Sequence, residues 1–200
     1  MLNKDNHTSI APKLHSFNKF SIAIFCFFAV QCFMFIYAQS SIVTVHKAQR
    51  TETKKDKDGR DLISFVGDVF LTIEKDNIVI AISADKVNFD RERNMLYAAD
   101  KVIMTEKVAK SSDKTLSGNS LLMNTSTLEG VFDDVKFVQK QTNVRNLSAE
   151  TTLIVSSEIF SREEGGTVVF KKARLTFCDE ENPHWQLRSS RLFLLPGAED

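Results

Sequence analysis

Four acids recur at matching places in this sequence, Asp68, Asp85, Asp100 and Asp134. Paired carboxylates are what general acid–base or glycosidic chemistry requires. Each of these acids follows a Gly, an Ala or another Asp at a comparable point of a repeated segment. A catalytic pair is unique within a chain, whereas periodic Asp is what a series of hydrogen-bonded turns requires. Beyond the first forty residues the imidazoles are His46 and His184, too far apart in sequence to suggest a local metal pair. His184 reads as a turn residue, and its neighbour Trp185 as a cap on the end of the core or, alternatively, a lipid contact. The Gly-rich phosphate loops, the Gly-x-Ser-x-Gly elbow and the His-Glu-x-x-His zinc motif are absent from the sequence. The expectation is no catalytic residue, no metal ligand and no cofactor. A passive binding role then draws any free energy for transport from another component.

Charge and cysteine usage narrow the classes further. Lys+Arg and Asp+Glu both number 26; the first forty residues hold Lys4, Lys13 and Lys19 against Asp5, leaving 23 basic and 25 acidic residues. That balance argues against a nucleic-acid binder, which carries a basic excess. Cys26 and Cys32 lie in an apolar block, so Cys178 is the only thiol beyond it. An internal disulfide and a Cys-x-x-Cys site are therefore both excluded from the rest of the chain.

The apolar block runs from Phe20 to Ala38, uncharged and preceded by Lys13 and Lys19. As a helix it would reach about 28 Å, close to the bilayer's hydrocarbon thickness. Its length suits an uncleaved membrane anchor, while Ala38-Gln39-Ser40 suits signal cleavage before Ser41. Lipidation at Cys32 is a third, weaker reading, because apolar residues continue past it. All three predict export of the remainder. Residues 41–60, ending in Lys54-Lys-Asp-Lys-Asp-Gly-Arg-Asp61, read as a solvated linker or turn.

From Leu62 onward short β-prone runs alternate with polar turns, as in Val69-x-Leu71-x-Ile73 and Ile78-x-Ile80-x-Ile82. Helical periodicity is not sustained anywhere in this region. One unit recurs as Ile82–Phe89, Leu116–Met123, Leu147–Ile154 and Leu187–Leu194. Each begins with an aliphatic residue, places a tiny one two later, and mostly apolar ones five and seven later. A second unit alternates with it: Gly67–Leu71, Ala99–Ile103, Asp133–Phe137 and, more loosely, Lys172–Thr176. Together they predict about eight strands. Offsets 0 and 2 share one face of a strand, but offsets 5 and 7 have the opposite parity. All four point inward only if the chain bends or bulges by one residue near offsets 3 and 4. The tiny residues Ala84, Gly118, Ala149 and Ser189 would permit that bend. Two facing sheets with an apolar interior follow, a β jelly-roll or an open β-solenoid. Ile82, Val87, Phe89, Leu116, Leu121, Met123, Leu147 and Ile154 are its expected groove-lining residues.

These residues resemble the OstA-like family of lipopolysaccharide-transport domains, shared by LptA, LptC and the N-terminal part of LptD. The likeness rests on Gly67-Asp-Val69, Ile82-x-Ala84-Asp85-x-Val87-x-Phe89-Asp90, Ala98-Ala-Asp100-x-Val102, and Ala173-Arg-Leu-Thr-Phe-Cys178 followed by Pro183-His-Trp185-x-Leu187. It covers roughly residues 61–195 and is nearest to the N-terminal domain of LptD. The resemblance implies a V-shaped β jelly-roll whose interior shelters the acyl chains of lipopolysaccharide or a similar glycolipid. It also implies edge-to-edge β-augmentation with other lipopolysaccharide-transport proteins, and a place in the Gram-negative periplasm, either anchored in the inner membrane through residues 20–38 or associated with the outer membrane. LptD relatives continue into a large barrel to which the cysteine at the position of Cys178 can bond; this sequence ends at Leu195-Pro-Gly-Ala-Glu-Asp200. An LptC-like layout and an LptD-like fragment both remain open. A structural or adhesive β-solenoid with a closed core is the rival from another class, and a periplasmic enzyme stands third.

Overall fold

The computed structural model describes residues 41–109, 112–141, 151–178 and 183–195. The apolar block 20–38, with its expected helix, and Leu147 and Ala149 lie outside these residues. The described residues form one antiparallel sheet of ten strands. In chain order these are β1 (Ile42–Lys47), β2 (Arg50–Lys55), β3 (Asp61–Lys75), β4 (Ile78–Asp90), β5 (Met95–Val108), β6 (Lys114–Asn124), β7 (Gly130–Gln141), β8 (Thr151–Arg162), β9 (Val168–Thr176) and β10 (Leu187–Leu194). A single 3-10 turn at Glu164–Gly166 joins β8 to β9. Among the described residues no helix is long and apolar enough to cross a membrane.

The all-β expectation holds, but the stretch 41–60 is not a linker. β1 pairs with Phe70–Glu74 and β2 with Asp61–Val66, so together they form one interrupted edge strand on β3. The Thr- and charge-rich composition that suggested a linker is also that of an edge strand wetted on its open side. Residues 56–60 make the turn between β2 and β3. There Asp56 Oδ1 accepts the amides of Asp58 at 2.8 Å and Arg60 at 2.9 Å, and Oδ2 accepts Arg60 Nε at 2.8 Å.

A line of bends crosses the sheet. Left-handed residues mark it at Gly67 and Asp68 in β3, Asp100 and Lys101 in β5, Asp134 in β7 and Lys172 in β9. All lie in the second repeated unit, and each is followed by a buried small or β-branched residue: Val69, Val102, Val135 or Ala173. In the first unit the inward faces change parity across the same line. Ile82 and Ala84 are buried on one side of Asp85 and Val87 on the other; Leu116 is buried before Asn119, and Leu121 and Met123 after it. β4 crosses the line with three residues from one inward position to the next, as do β6 to β10. β3 and β5 take four, and register shifts occur at the pairings of β3 and β5 alone among the strands that follow them. The extra residue is a β-bulge on each.

The tiny residues act differently from the sequence-based expectation. Ala84, Gly118 and Ser189 keep negative φ, so they do not supply the left-handed turn. They make room for the strand alongside. A Cβ on Gly118 would come within 2.6 Å of Asp133 O and 2.8 Å of Asp134 O.

The bends fold the sheet onto itself. Phe137 lies in register with Val155 and Leu175, whereas Phe170 is five residues, about 16 Å of extended strand, further along β9. Their rings nonetheless meet edge-on at 5.5 Å. The inner faces on either side of the bend line thus form one core, from Val69, Leu71 and Ile73 through Leu96 and Val102 to Phe132, Val155, Phe160 and Phe170.

Two outcomes are expected. Gly118→Ala forces its methyl against two backbone carbonyls and destabilises the fold by about 1–3 kcal/mol in urea denaturation. The Arg60 amide, first among several hydrogen bonds, holds the Asp56 carboxyl below its ordinary range. Because the folded-state value is depressed, that contribution is full above about pH 4 and is lost as pH falls through the folded value. The stability difference between wild type and Asp56→Ala should therefore be largest at neutral pH and shrink in denaturation carried out near pH 3.

Candidate functional site

Away from the bend the two halves of the folded sheet separate around a hollow of about 1050 Å³. Leu116, Phe137 and Leu153 line it from one half, and Phe160, Val168 and Leu194 from the other. Leu128, in the β6–β7 turn, closes one side. Its backbone is left-handed (φ 63°), uncommon for a branched residue, and its side chain is buried. Asn124 shapes this turn: its carbonyl accepts the Leu128 amide at 2.8 Å, and its side-chain Oδ1 accepts the amides of Ser126 at 2.8 Å and Thr127 at 3.0 Å.

Polar groups tie the two halves together at the rim. Lys75 Nζ donates to the Ser126 carbonyl. Arg162 donates to Glu106 Oε2 in an ion pair whose carboxylate side chain is only 4% exposed and whose guanidinium is 17% exposed. Glu106 shares a cross-strand row with Lys114, Gln139 and Leu153, and Arg162 stands nine residues beyond Leu153 on β8. That is about 30 Å of extended strand, which only folding over can close. A carboxylate at this depth is tolerable because the guanidinium is at hand. The hollow has apolar side chains in its walls and charged ones around its mouth, among them Lys75, Asp76, Glu106, Lys114, Glu129 and Arg162.

The expected lining residues divide. Leu116 lines the hollow. Ile82, Val87, Leu121 and Met123 are buried in the closed core and do not line the hollow, and Phe89 packs against that core half-buried. Leu147 falls outside the described residues. Ile154 is buried but lies outside the core, because the inward positions of β8 are Leu153 and Val155. The unit starting at Leu147 was therefore misregistered. The segment that crosses the bend is Val155-x-Ser157-Glu158-x-Phe160, which matches Ile82-x-Ala84-Asp85-x-Val87 position by position.

The recurring acids sit along the outer side of the bend. Asp68 pairs with Lys47, Asp85 with Lys101 at 3.3 Å, and Asp134 accepts from Asn119 at 3.2 Å. Among the described residues no three His, Cys, Asp or Glu side chains group as metal ligands would. Trp185 does not cap the core. It is 48% exposed, its ring lies 5.7 Å from that of Phe177, and its carbonyl accepts the Thr176 hydroxyl. His184 does lie in a bend beside it, with Nδ1 at 3.8 Å from Cys178 Sγ.

Sequence reasoning missed Glu106, Arg162, Leu128 and Phe137. Of the apolar ones Phe137 carried a signal, being an inward position that strand parity predicts once the bend is placed, whereas Leu128 lies in a turn between β6 and β7. The ion pair carried none. Replacing Arg162 alone, as Arg162→Met, leaves Glu106 without its guanidinium and should cost about 3 kcal/mol in chemical denaturation. Adding Glu106→Leu should recover most of that loss.

Among known proteins, no family model matches this sequence, and no curated protein matches it.

Proposed function

We propose that this chain is an exported, non-catalytic carrier that shelters the acyl chains of lipopolysaccharide or a similar glycolipid and relays them across the periplasm toward outer-membrane assembly. On this reading the folded sheet is a V-shaped β jelly-roll, and residues 20–38 hold or once delivered the chain at a membrane. The observation that carries the reading is the hollow of about 1050 Å³ between the two halves, walled by Leu116, Phe137, Leu153 and Phe160. Exposing an acyl chain to water costs about 0.8 kcal/mol per methylene, so a fourteen-carbon chain costs on the order of 10 kcal/mol. An apolar trough continuous with the core offsets much of that. The sheet's ends suit a relay: β1 and β2 pair only with β3, and β10 only with β9, among the described residues. Such edges accept a strand from a neighbouring domain of like kind.

A second reading draws on a specific observation. Ile82, Val87, Leu121 and Met123 are already buried in a closed core, as they would be in a purely structural or adhesive β-solenoid. The two readings differ in whether the hollow takes lipid. Photo-cross-linking residues placed at Leu116 or Leu153 should yield glycolipid adducts when the protein is incubated with lipopolysaccharide, and one placed at Ile82 should not. Organic extraction of the purified protein should release lipid detectable by mass spectrometry. Absence of both adduct and lipid, in a folded protein, selects the closed-core reading.

A further inference from the structure

β9 and β10 carry five cations and no acid, in a chain whose charges balance as a whole: Lys171, Lys172, Arg174, Arg188 and Arg191. All five are exposed. The inward positions of this ribbon are Phe170, Ala173 and Leu175 on β9 and Ser189, Leu192 and Leu194 on β10, so the cations share the outer face. The register sets like charges directly opposite each other twice, Arg174 against Arg188 and Lys171 against Arg191. Opposed like charges on one face destabilise a strand pair. Among the described residues only Lys172 of the five has an ion-pair partner, Glu158 at 2.7 Å. A sixth cation, Lys136, extends the row through Ser156 to Arg174 and Arg188. This side of the ribbon holds a hollow of about 710 Å³ bordered by the cations Lys136, Lys172, Arg174 and Arg188 and by the two acids Asp134 and Glu158, the second of them paired with Lys172. Along β10 the cations are followed by Phe193 and Leu195, 53% and 65% exposed at the sheet edge where they also border the mouth of the larger hollow, and Trp185 stands at the ribbon's other end.

We infer that the outer face of β9–β10 docks on an anionic lipid bilayer surface. Opposed cations are relieved when lipid phosphates lie between them, and exposed aromatic and aliphatic side chains beside them suit the headgroup–acyl boundary. A soluble polyanion would use the cations but leave Phe193, Leu195 and Trp185 in water. The cation row lies on the opposite side of the ribbon from the hollow between the half-sheets, although Phe193 and Leu195 also border that hollow's mouth; docking through the cations does not require the hollow to carry lipid.

Trp185 is the chain's only tryptophan, so its emission reports on this ribbon alone. The full chain, reconstituted in phosphatidylcholine vesicles, is titrated with phosphatidylglycerol; the apolar segment is then present in every sample and cancels. A blue shift of Trp185 emission that grows with anionic lipid and reverses near 1 M NaCl is expected, since the screening length there is about 3 Å. Each cation near an anionic surface multiplies binding by about fivefold. Lys171→Gln/Arg191→Gln should therefore raise the anionic lipid needed for half the shift by roughly twentyfold, while Lys55→Gln, on the far edge, should leave it unchanged. Identical emission in neutral and anionic vesicles overturns the inference. So does an equal shift on adding single-stranded RNA to the neutral vesicles, which would make the face a general polyanion site.

Discussion

The whole structure depends on a single backbone constraint: successive strands must change direction along one line. A flat sheet of this size would leave one apolar face in water. By bending every strand at the same level, the chain brings that face against itself and needs no second layer. The cost falls on residues forced into left-handed backbone, several of them Asp or Lys rather than Gly. Non-glycine residues tolerate that region poorly, with Asp and Asn the least penalised. Their side chains stand on the outer, wet side, where Lys47–Asp68, Lys101–Asp85 and Lys172–Glu158 pair across neighbouring strands.

Packing follows from the bend. Along β3 to β5 the half-sheets meet and residues such as Ile80, Ile82 and Val87 are wholly buried. From β6 to β10 the interior opens into a trough lined by Leu116, Phe137, Leu153, Phe160, Val168 and Leu194. Leu128 and the Glu106–Arg162 pair stand where contact gives way to space. A buried ion pair contributes little net stability compared with apolar packing, but it discriminates between arrangements of the two halves. Only one arrangement leaves neither charge stranded.

Much of this fold could be read from residue patterns, and the failures are physical. The parity switch between Ile82-x-Ala84 and Val87-x-Phe89 identifies a bend from residue types alone. The left-handed residues were harder to locate, since Gly-Asp-Val signals one of them openly and Lys172 hides another behind an ordinary β sequence. Residues 42–55 escaped recognition as strand because an edge carries polar side chains for the same reason a linker does: both face water. The third copy was misplaced because Leu147-Ser-Ala matches the unit by residue type, whereas Val155-x-Ser157-Glu158 matches it by burial. Of the site, the apolar wall was legible in kind but not in position, as the candidates chosen lay mostly where the halves are shut. Glu106 and Arg162, 56 residues apart, are joined by topology that local pattern does not encode.

From β3 to β10, the spatial order of the strands is their order in the chain. Each strand's partner is therefore its immediate predecessor, and the loops to be closed are short. A polypeptide delivered from its N-terminus can extend the sheet by one hairpin arm at a time, with no segment held waiting for a distant mate. Such local pairing lowers the entropic barrier that slows most β proteins. It also confines the sticky growing margin to a single strand at every stage of assembly.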